Sequence, residues 1–317
     1  MLRLKNIIIK RAMKLFGRKP TSKDIIAWSE IFCHDSFTKG TKEERERIML
    51  ESSEYRYCYE NQHPWDAYFR VDIAPLLEGE IVLDLGCFTG GRAVAWAERY
   101  KLDMIYGIDI DQNYIEAAQQ FAKQKGIRAQ FICAKGESLP FKDDQFDAIF
   151  SMHVFEHIQD LGQVLAECNR VLKRQGRLYV VFPSYFNPIE HHLSAVTRTP
   201  CLHYFFSGRD LVEVYNEMID EKGEEASWYK RPNRDLEPWE RCNTINGMTK
   251  AKFRRLLEAT NWNIYYEHNP SLLSVGGIAS KYPALKLLGY LITPLAQLRI
   301  LEEYLSSSIV YILEKGH

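Results

Sequence analysis

From about residue 75 onward the chain alternates short, nearly continuous apolar runs with segments of helical spacing. EIVLDLG gathers Ile81, Val82, Leu83 and Leu85 into a run that ends in glycine, the pattern of a strand buried on both faces of a sheet. The next segment, from Gly91, repeats apolar residues at Ala93, Val94, Trp96 and Ala97 with helical period. MIYGIDI, AQFICAKG, FDAIFSMHV and RLYVVFPS read as further strands, with NYIEAAQQFAKQKG and LGQVLAECNRVLKRQG as helices between them. Strand and helix in regular succession predict an α/β fold, a doubly wound parallel sheet with helices on both faces.

The flanks differ. Residues 1–74 show helical spacing and no strand alternation, and read as a helical N-terminal extension that could cap the main domain, 75–184. After Ser184 the alternation stops for some sixty residues, through the aromatic and histidine-rich YFNPIEHHLS and CLHYFF and then a polar loop. An insertion of that length in a compact domain is usually functional, so 185–246 is expected to be a lid or acceptor wall; the plainer alternative is an added helical subdomain. Residues 247–317 resume the fold with the helix TKAKFRRLLEATNW, the strand NIYYEH, leucine-rich helices and a last strand SSSIVYIL.

Composition narrows the class. A chain of 317 residues that is 46% hydrophobic and 26% charged can build a large core without disulfides or metal staples. Its net charge of -1 excludes the basic excess of a dedicated nucleic-acid binder. Seven scattered cysteines with no CxxC pair read as reduced thiols of a cytoplasmic protein. No apolar stretch reaches the length of a membrane span. Two segments keep peripheral membrane contact open. Met1 to Pro20 carries seven basic and no acidic residues among Leu4, Ile7, Ile8, Leu15 and Phe16, which fits a helix on anionic lipid or a terminal helix packed on its own domain. Tyr282 to Leu301 is rich in leucine but broken by Lys286, Pro294 and Arg299, and reads as two short core-facing helices around Pro294.

The loop VLDLGCFTGG decides what is bound. Glycines 86, 90 and 91 allow a tight turn and close approach of a ligand at the carboxyl edge of the sheet. A dinucleotide fingerprint needs a second glycine where Phe88 stands. Asp84 at the strand end would repel a phosphate but suits an ammonium or sulfonium group. Asp109, at the end of the second strand, can accept hydrogen bonds from both hydroxyls of a ribose. Sugar and cation without phosphate describe S-adenosylmethionine. Taken one at a time, Asp84 and Asp109 could instead be helix caps, and the glycines packing sites.

With Leu139, Pro140 and Phe141, then Phe146 and Asp147, then Glu156 and His157 following in order, residues 75–184 resemble the class I S-adenosylmethionine-dependent methyltransferases, in the methyltransferase type 11-like group. The resemblance implies a Rossmann-like seven-stranded sheet and a cofactor site built from Asp84, Gly86, Cys87, Gly90, Asp109, Ile110, Gly136, Glu137 and Ser151. Phe88 departs from the commoner GCGTG form, which implies a tighter or rerouted loop. Lys135 stands where such proteins usually carry an acid that contacts adenine, so backbone groups near Gly136 and Glu137 are expected to serve.

Methyl transfer is an in-line displacement that asks mainly for alignment and exclusion of water, and a hydroxyl acceptor adds the need for a base. The candidates are His153 and His157 after the fourth strand, and His191, His192 and His203 in the insertion among Tyr185, Phe186, Tyr204, Phe205 and Phe206. Adjacent histidines on one element point apart more often than together, so no metal is expected. SMHV replaces the NPPY or DPPY sequence of many N-methyltransferases of bases and amides, which leaves a small-molecule or glycan acceptor and O-methylation as the first reading. The alternatives are a C- or O-methylase of a lipid-linked acceptor at the membrane surface and a non-catalytic S-adenosylmethionine-binding scaffold subunit. An apolar patch on the N-terminal helices would serve a homodimer or a lid.

Overall fold

In a computed structural model, residues 2–17, 41–188, 192–193, 196–222, 245–272 and 283–316 are described. Seven strands form one sheet in the order β3-β2-β1-β4-β5-β7-β6. They are β1 (Ile81–Leu85), β2 (Met104–Asp109), β3 (Ala129–Cys133), β4 (Phe146–Met152), β5 (Leu172–Phe182), β6 (Trp262–His268) and β7 (Ile309–Lys315). β1 to β5 run parallel, and β7 inserts antiparallel between β5 and β6. Strand order reverses at β1, which pairs with β2 on one side and β4 on the other. A ligand crevice at the carboxyl edge belongs at such a switch point.

The longer described helices are α1 (Leu2–Leu15), α2 (Lys42–Gln62), α3 (Gly91–Arg99), α4 (Gln112–Lys125), α5 (Leu161–Val171), α6 (Gly208–Lys222), α7 (Lys250–Glu258) and α8 (Pro283–Ala296). Side-chain caps start several of them: Thr41 accepts from the Glu44 amide, Asp111 from Asn113, Asp160 from Gln163 and Thr249 from Lys252. One face of the sheet buries an aromatic cluster in which Trp65 lies 4.6 Å from Phe150 and 5.0 Å from Trp96, ring centre to ring centre. The other face packs Phe155, Phe182 and Phe253 under α5 and α7. Truncating Trp65 to alanine would cost about 3–5 kcal/mol on the usual cost of deleting a buried aromatic.

The N-terminal residues are shared between two cores. Residues 65–77 bury Trp65, Phe69, Ile73 and Leu77 against the sheet, and α2 packs on α3 and α4. By contrast, α1 buries Ile9 and Met13 against Leu211, Val212, Tyr215 and Ile219 of α6, within the expected insertion. Its basic side chains meet an acidic helix: Lys5 pairs with Asp210, Lys10 with Glu221, and Asn6 reaches Glu213 and Glu217. The packing reading of this segment is therefore met, while Leu4, Ile7, Ile8, Leu15 and Phe16 stay exposed.

The leucine-rich C-terminal segment corrects its expectation. It is one helix, α8, with Pro294 inside its last turn. It is not core-facing, because Leu287, Leu291 and Leu295, spaced at i, i+4 and i+8, are all exposed. No described helix is long and apolar enough to cross a membrane.

Candidate active site

The loop after β1 is held by backbone conformation and close contact. Gly86 has φ +82, and a Cβ there would lie 2.3 Å from a methyl of Val154. Gly90, at φ +75, starts α3, and a Cβ would lie 2.6 Å from that of Ala118. Gly91 has a different reason: a side chain would run into the Ser53 carbonyl of α2 at 2.0 Å. Ser53 Oγ also donates to the Thr89 carbonyl at 2.8 Å, so α2 clamps the loop from outside.

Phe88 follows the route a glycine would. Its φ is +50, a left-handed conformation that costs a non-glycine residue about 1–2 kcal/mol. Its ring rests 4.2 Å from that of Tyr114, centre to centre, under the Arg56 guanidinium at 5.5 Å. Its amide donates to Asp109 Oδ2 at 3.0 Å. Aromatic and cation–π contact offset the strain of this conformation.

Neither aspartate is a helix cap. Asp84 is 1% exposed, and both its carboxylate oxygens lack a hydrogen-bond partner. Burial pushes its pKa up to about 7, against the pull of Arg92. A buried carboxylate of this kind calls for a cation. Asp109 accepts from the amides of Phe88 and Asp111, while Asp111 is the residue that caps α4. A carboxylate has about four acceptor positions, so Asp109 retains capacity for a diol. Burial raises its pKa as well.

Cationic groups line the same loop. Arg56 is half-buried, its enclosed Nε has no hydrogen-bond partner, and desolvation followed by the nearby Arg92 charge lowers its pKa to about 10. Arg92 donates to the Met152 carbonyl at 3.2 Å and approaches Glu60 at 3.6 Å. Two guanidiniums sharing one region suit a carboxylate ligand.

A second constellation begins just past β4. His153, with φ +56, places Nδ1 3.7 Å from Glu156 Oε1, and His157 places Nε2 3.8 Å from the same atom. Glu156 is 5% exposed, and its Oε2 has no hydrogen-bond partner. Burial works to raise its pKa, but His157 and then His153 more than reverse this, and it lies below the usual glutamate range. His192, also in a left-handed conformation, meets His157 edge to face with ring centres 5.0 Å apart. Because Val154 covers Gly86, the histidine group adjoins the glycine loop.

Residues 83–180 match the family model described as a methyltransferase domain. Residues 83–180 thus carry a methyltransferase domain. Over 158 residues the chain is 28% identical to methyltransferase GfsG of Streptomyces halstedii, covering 49% of this chain and 55% of that one. Over 101 residues it is 38% identical to the uncharacterized methyltransferase YcgJ of Bacillus subtilis, covering 32% and 39%. The match thus spans about half of these relatives or less. A chain from the complex between the Haloferax volcanii Trm112 methyltransferase activator and a methyltransferase aligns at TM-score 0.50 and 16% identity, over 92% of this chain and 99% of that one, which shows likeness of fold.

In the methyltransferase domain the expected cofactor residues gather at the carboxyl edges of β1, β2 and β4. Ile110 is 75% exposed beside Asp109, and the Ser151 hydroxyl is buried in β4 without a hydrogen-bond partner. Gly136 is buried against Val164, Glu137 is half-buried, and Lys135 is exposed just past β3. The Cys87 thiol is buried in the core, so this residue faces the crevice through its backbone. Leu139 and Phe141 are tied down by Arg170, and Asp147 accepts from the Ile81 amide and from Lys173, so these motif residues hold the fold.

Of the expected histidines, His153, His157 and His192 come together. His203 makes edge-on ring contacts with Tyr185 and Tyr204 at 5.7 and 4.5 Å, and His191 lies outside the described residues. Three participants escaped the sequence reading. Arg56 and Arg92 sat in helical segments without a motif. Asn246 straps the turn at Glu156: its side-chain amide donates to the carbonyls of Phe155 and Ile158, both at 2.6 Å, and its backbone amide to that of Glu156 at 2.7 Å.

Proposed function

We propose that the protein transfers the methyl group of S-adenosylmethionine to a hydroxyl of a sugar or small hydroxylated acceptor. The observation that carries this reading is the buried, under-bonded Glu156 carboxylate between His153 and His157, beside the glycine loop. A carboxylate that orients an imidazole makes it a competent general base near neutral pH. His153 is the assigned base, and the aromatic residues around His203 suit the face of a sugar or an apolar ring.

The cofactor is assigned group by group. Asp84 receives the ammonium of the methionine moiety, and Arg56 with Arg92 receives its carboxylate. Asp109 holds the ribose hydroxyls, and the exposed Ile110 side chain offers an apolar face to adenine. Gly86, Gly90 and the Cys87 backbone let the cofactor approach, with Ser151, Gly136 and Glu137 lining the crevice. Bound S-adenosylmethionine supplies an electrophilic methyl on a sulfonium leaving group. The chain's own work is to align the acceptor oxygen behind that methyl, remove its proton and exclude water. Incubation with methyl-labelled S-adenosylmethionine and a cell extract tests the reading: label belongs in the small aqueous or glycan fraction, and label confined to protein or nucleic acid would contradict it.

One observation favours a second reading, a lipid-linked acceptor. The stripe of Leu287, Leu291 and Leu295 on α8 is exposed, as are Leu4, Ile7 and Ile8 on the basic α1. Such faces suit the boundary of an anionic membrane. Label in the organic phase, together with co-sedimentation on anionic vesicles, would favour this acceptor over a sugar.

A further inference from the structure

The geometry points to a divalent transition-metal site at Glu156, His157 and His192, binding Zn2+ or an ion of similar borderline character. This inference rests on the hydroxyl-acceptor reading above and deepens it. Each of the three residues offers one ligand atom, and these atoms lie within 4.8 Å of one another. The neighbouring separations, 3.7 and 3.8 Å from Glu156 Oε1 to the nitrogens of His153 and His157, are too long for hydrogen bonds, which run to about 3.2 Å. They lie close to the spacing of two ligands on one ion: bonds of about 2.0–2.2 Å in a tetrahedral arrangement hold ligand atoms about 3.4 Å apart. In the trio, whose ligand atoms lie within 4.8 Å of one another, closing on an ion draws the widest pair together by up to about 1.4 Å.

The donors select the ion. Two imidazoles and one carboxylate match Zn2+, Fe2+ or Co2+ and disfavour Mg2+, which prefers oxygen ligands. Glu156 is 5% exposed with an unpartnered oxygen, a state that a cation relieves. The site is also supported from outside. Asn246 fixes the turn that carries Glu156 and His157, and Leu193, fully buried among α1 and α6, anchors His192. An ion held there would join the inserted segment to the sheet edge. Adjacent histidines in one element gave no reason to expect a metal; the trio instead unites the core turn with the insertion.

Three protein ligands leave coordination positions open, and these fit an acceptor that presents two neighbouring oxygens, such as a vicinal diol. The bound hydroxyl loses its proton to His153, the base assigned above. Its oxygen then supplies the electron pair for the new bond to the methyl carbon, the carbon–sulfur bond breaks, and that pair stays on sulfur. The products are a methyl ether and neutral S-adenosylhomocysteine.

The test uses the full chain, stripped with a chelator and titrated with Zn2+ by calorimetry, with bound metal counted by mass spectrometry. The expected result is one equivalent bound at micromolar affinity or tighter, weakened at least tenfold in both Glu156→Gln and His192→Ala. S-adenosylhomocysteine affinity should stay unchanged in both variants, which also shows that they fold. Absence of Zn2+ uptake by the wild-type chain, or equal uptake by wild type and both variants, would overturn the site. A wild-type chain that binds Zn2+ as stated but no S-adenosylhomocysteine would leave the metal site standing and remove the methyltransferase reading beneath it.

Discussion

The amide of Phe88 donates to the Asp109 carboxylate at 3.0 Å. This bond ties the glycine loop of β1 to the acid of β2, so the parts expected to hold methionine and ribose move as one unit. It also explains how a phenylalanine occupies a left-handed position: the hydrogen bond, Tyr114 and Arg56 together offset the strain.

Asp84 makes cofactor affinity depend on pH. Burial lifts its pKa to about 7, so the carboxylate that receives an ammonium exists mainly above that pH. S-adenosylhomocysteine affinity should rise about tenfold between roughly pH 6 and pH 8, and Asp84→Asn should bind weakly with that dependence abolished. Stability of the cofactor-free protein runs the other way. A raised folded-state pKa contributes stability at low pH that is lost as pH climbs from about 4 through 7. The stability difference between wild type and Asp84→Asn, measured in urea, should shift against wild type across that window.

Gly91→Ala should dislodge α2, because the new methyl meets a carbonyl of Ser53, not a yielding side chain. Overpacking of this kind costs about 1–3 kcal/mol. Thermal melting should show the loss, and limited proteolysis should cut α2 faster than in wild type.

His153→Ala should lower turnover about a hundredfold or more, the usual worth of a positioned base, with S-adenosylhomocysteine affinity unchanged. Equal loss of cofactor affinity would instead assign His153 to the cofactor crevice.

Asn246→Ala removes two side-chain hydrogen bonds that hold the turn at Glu156. About 0.5–1.5 kcal/mol of stability is expected from each. Turnover should fall with little change in cofactor affinity, whereas a purely structural role would move stability alone.

The cofactor side of the site was legible in the sequence because its signals are local. Asp84, Gly86 and Gly90 lie within one turn, and Asp109 ends the next strand. Asn246 was not legible: it is 91 residues from Phe155, and no local pattern announces a partner that tertiary packing delivers. Arg56 looked like an ordinary charge on a polar helix, and only the docking of α2 on Gly91 brings it over the loop. α8 failed for another reason. A leucine stripe that faces outward has the same periodicity as one that faces a core, so the pattern gave the helix and not its orientation. β1, β4, β5 and β7 were legible because runs buried on both faces have few other uses, while the antiparallel course of β7 leaves no mark in such a run.

The most direct test of the cofactor site is calorimetric titration of the purified chain, and of Asp109→Ala, with S-adenosylhomocysteine. Wild type should bind one equivalent and the variant at least tenfold more weakly, because the ribose loses its acceptor and the Phe88 amide loses its anchor. A wild-type chain that does not bind, or a variant that binds as tightly as wild type, would contradict the assignment of this crevice to S-adenosylmethionine.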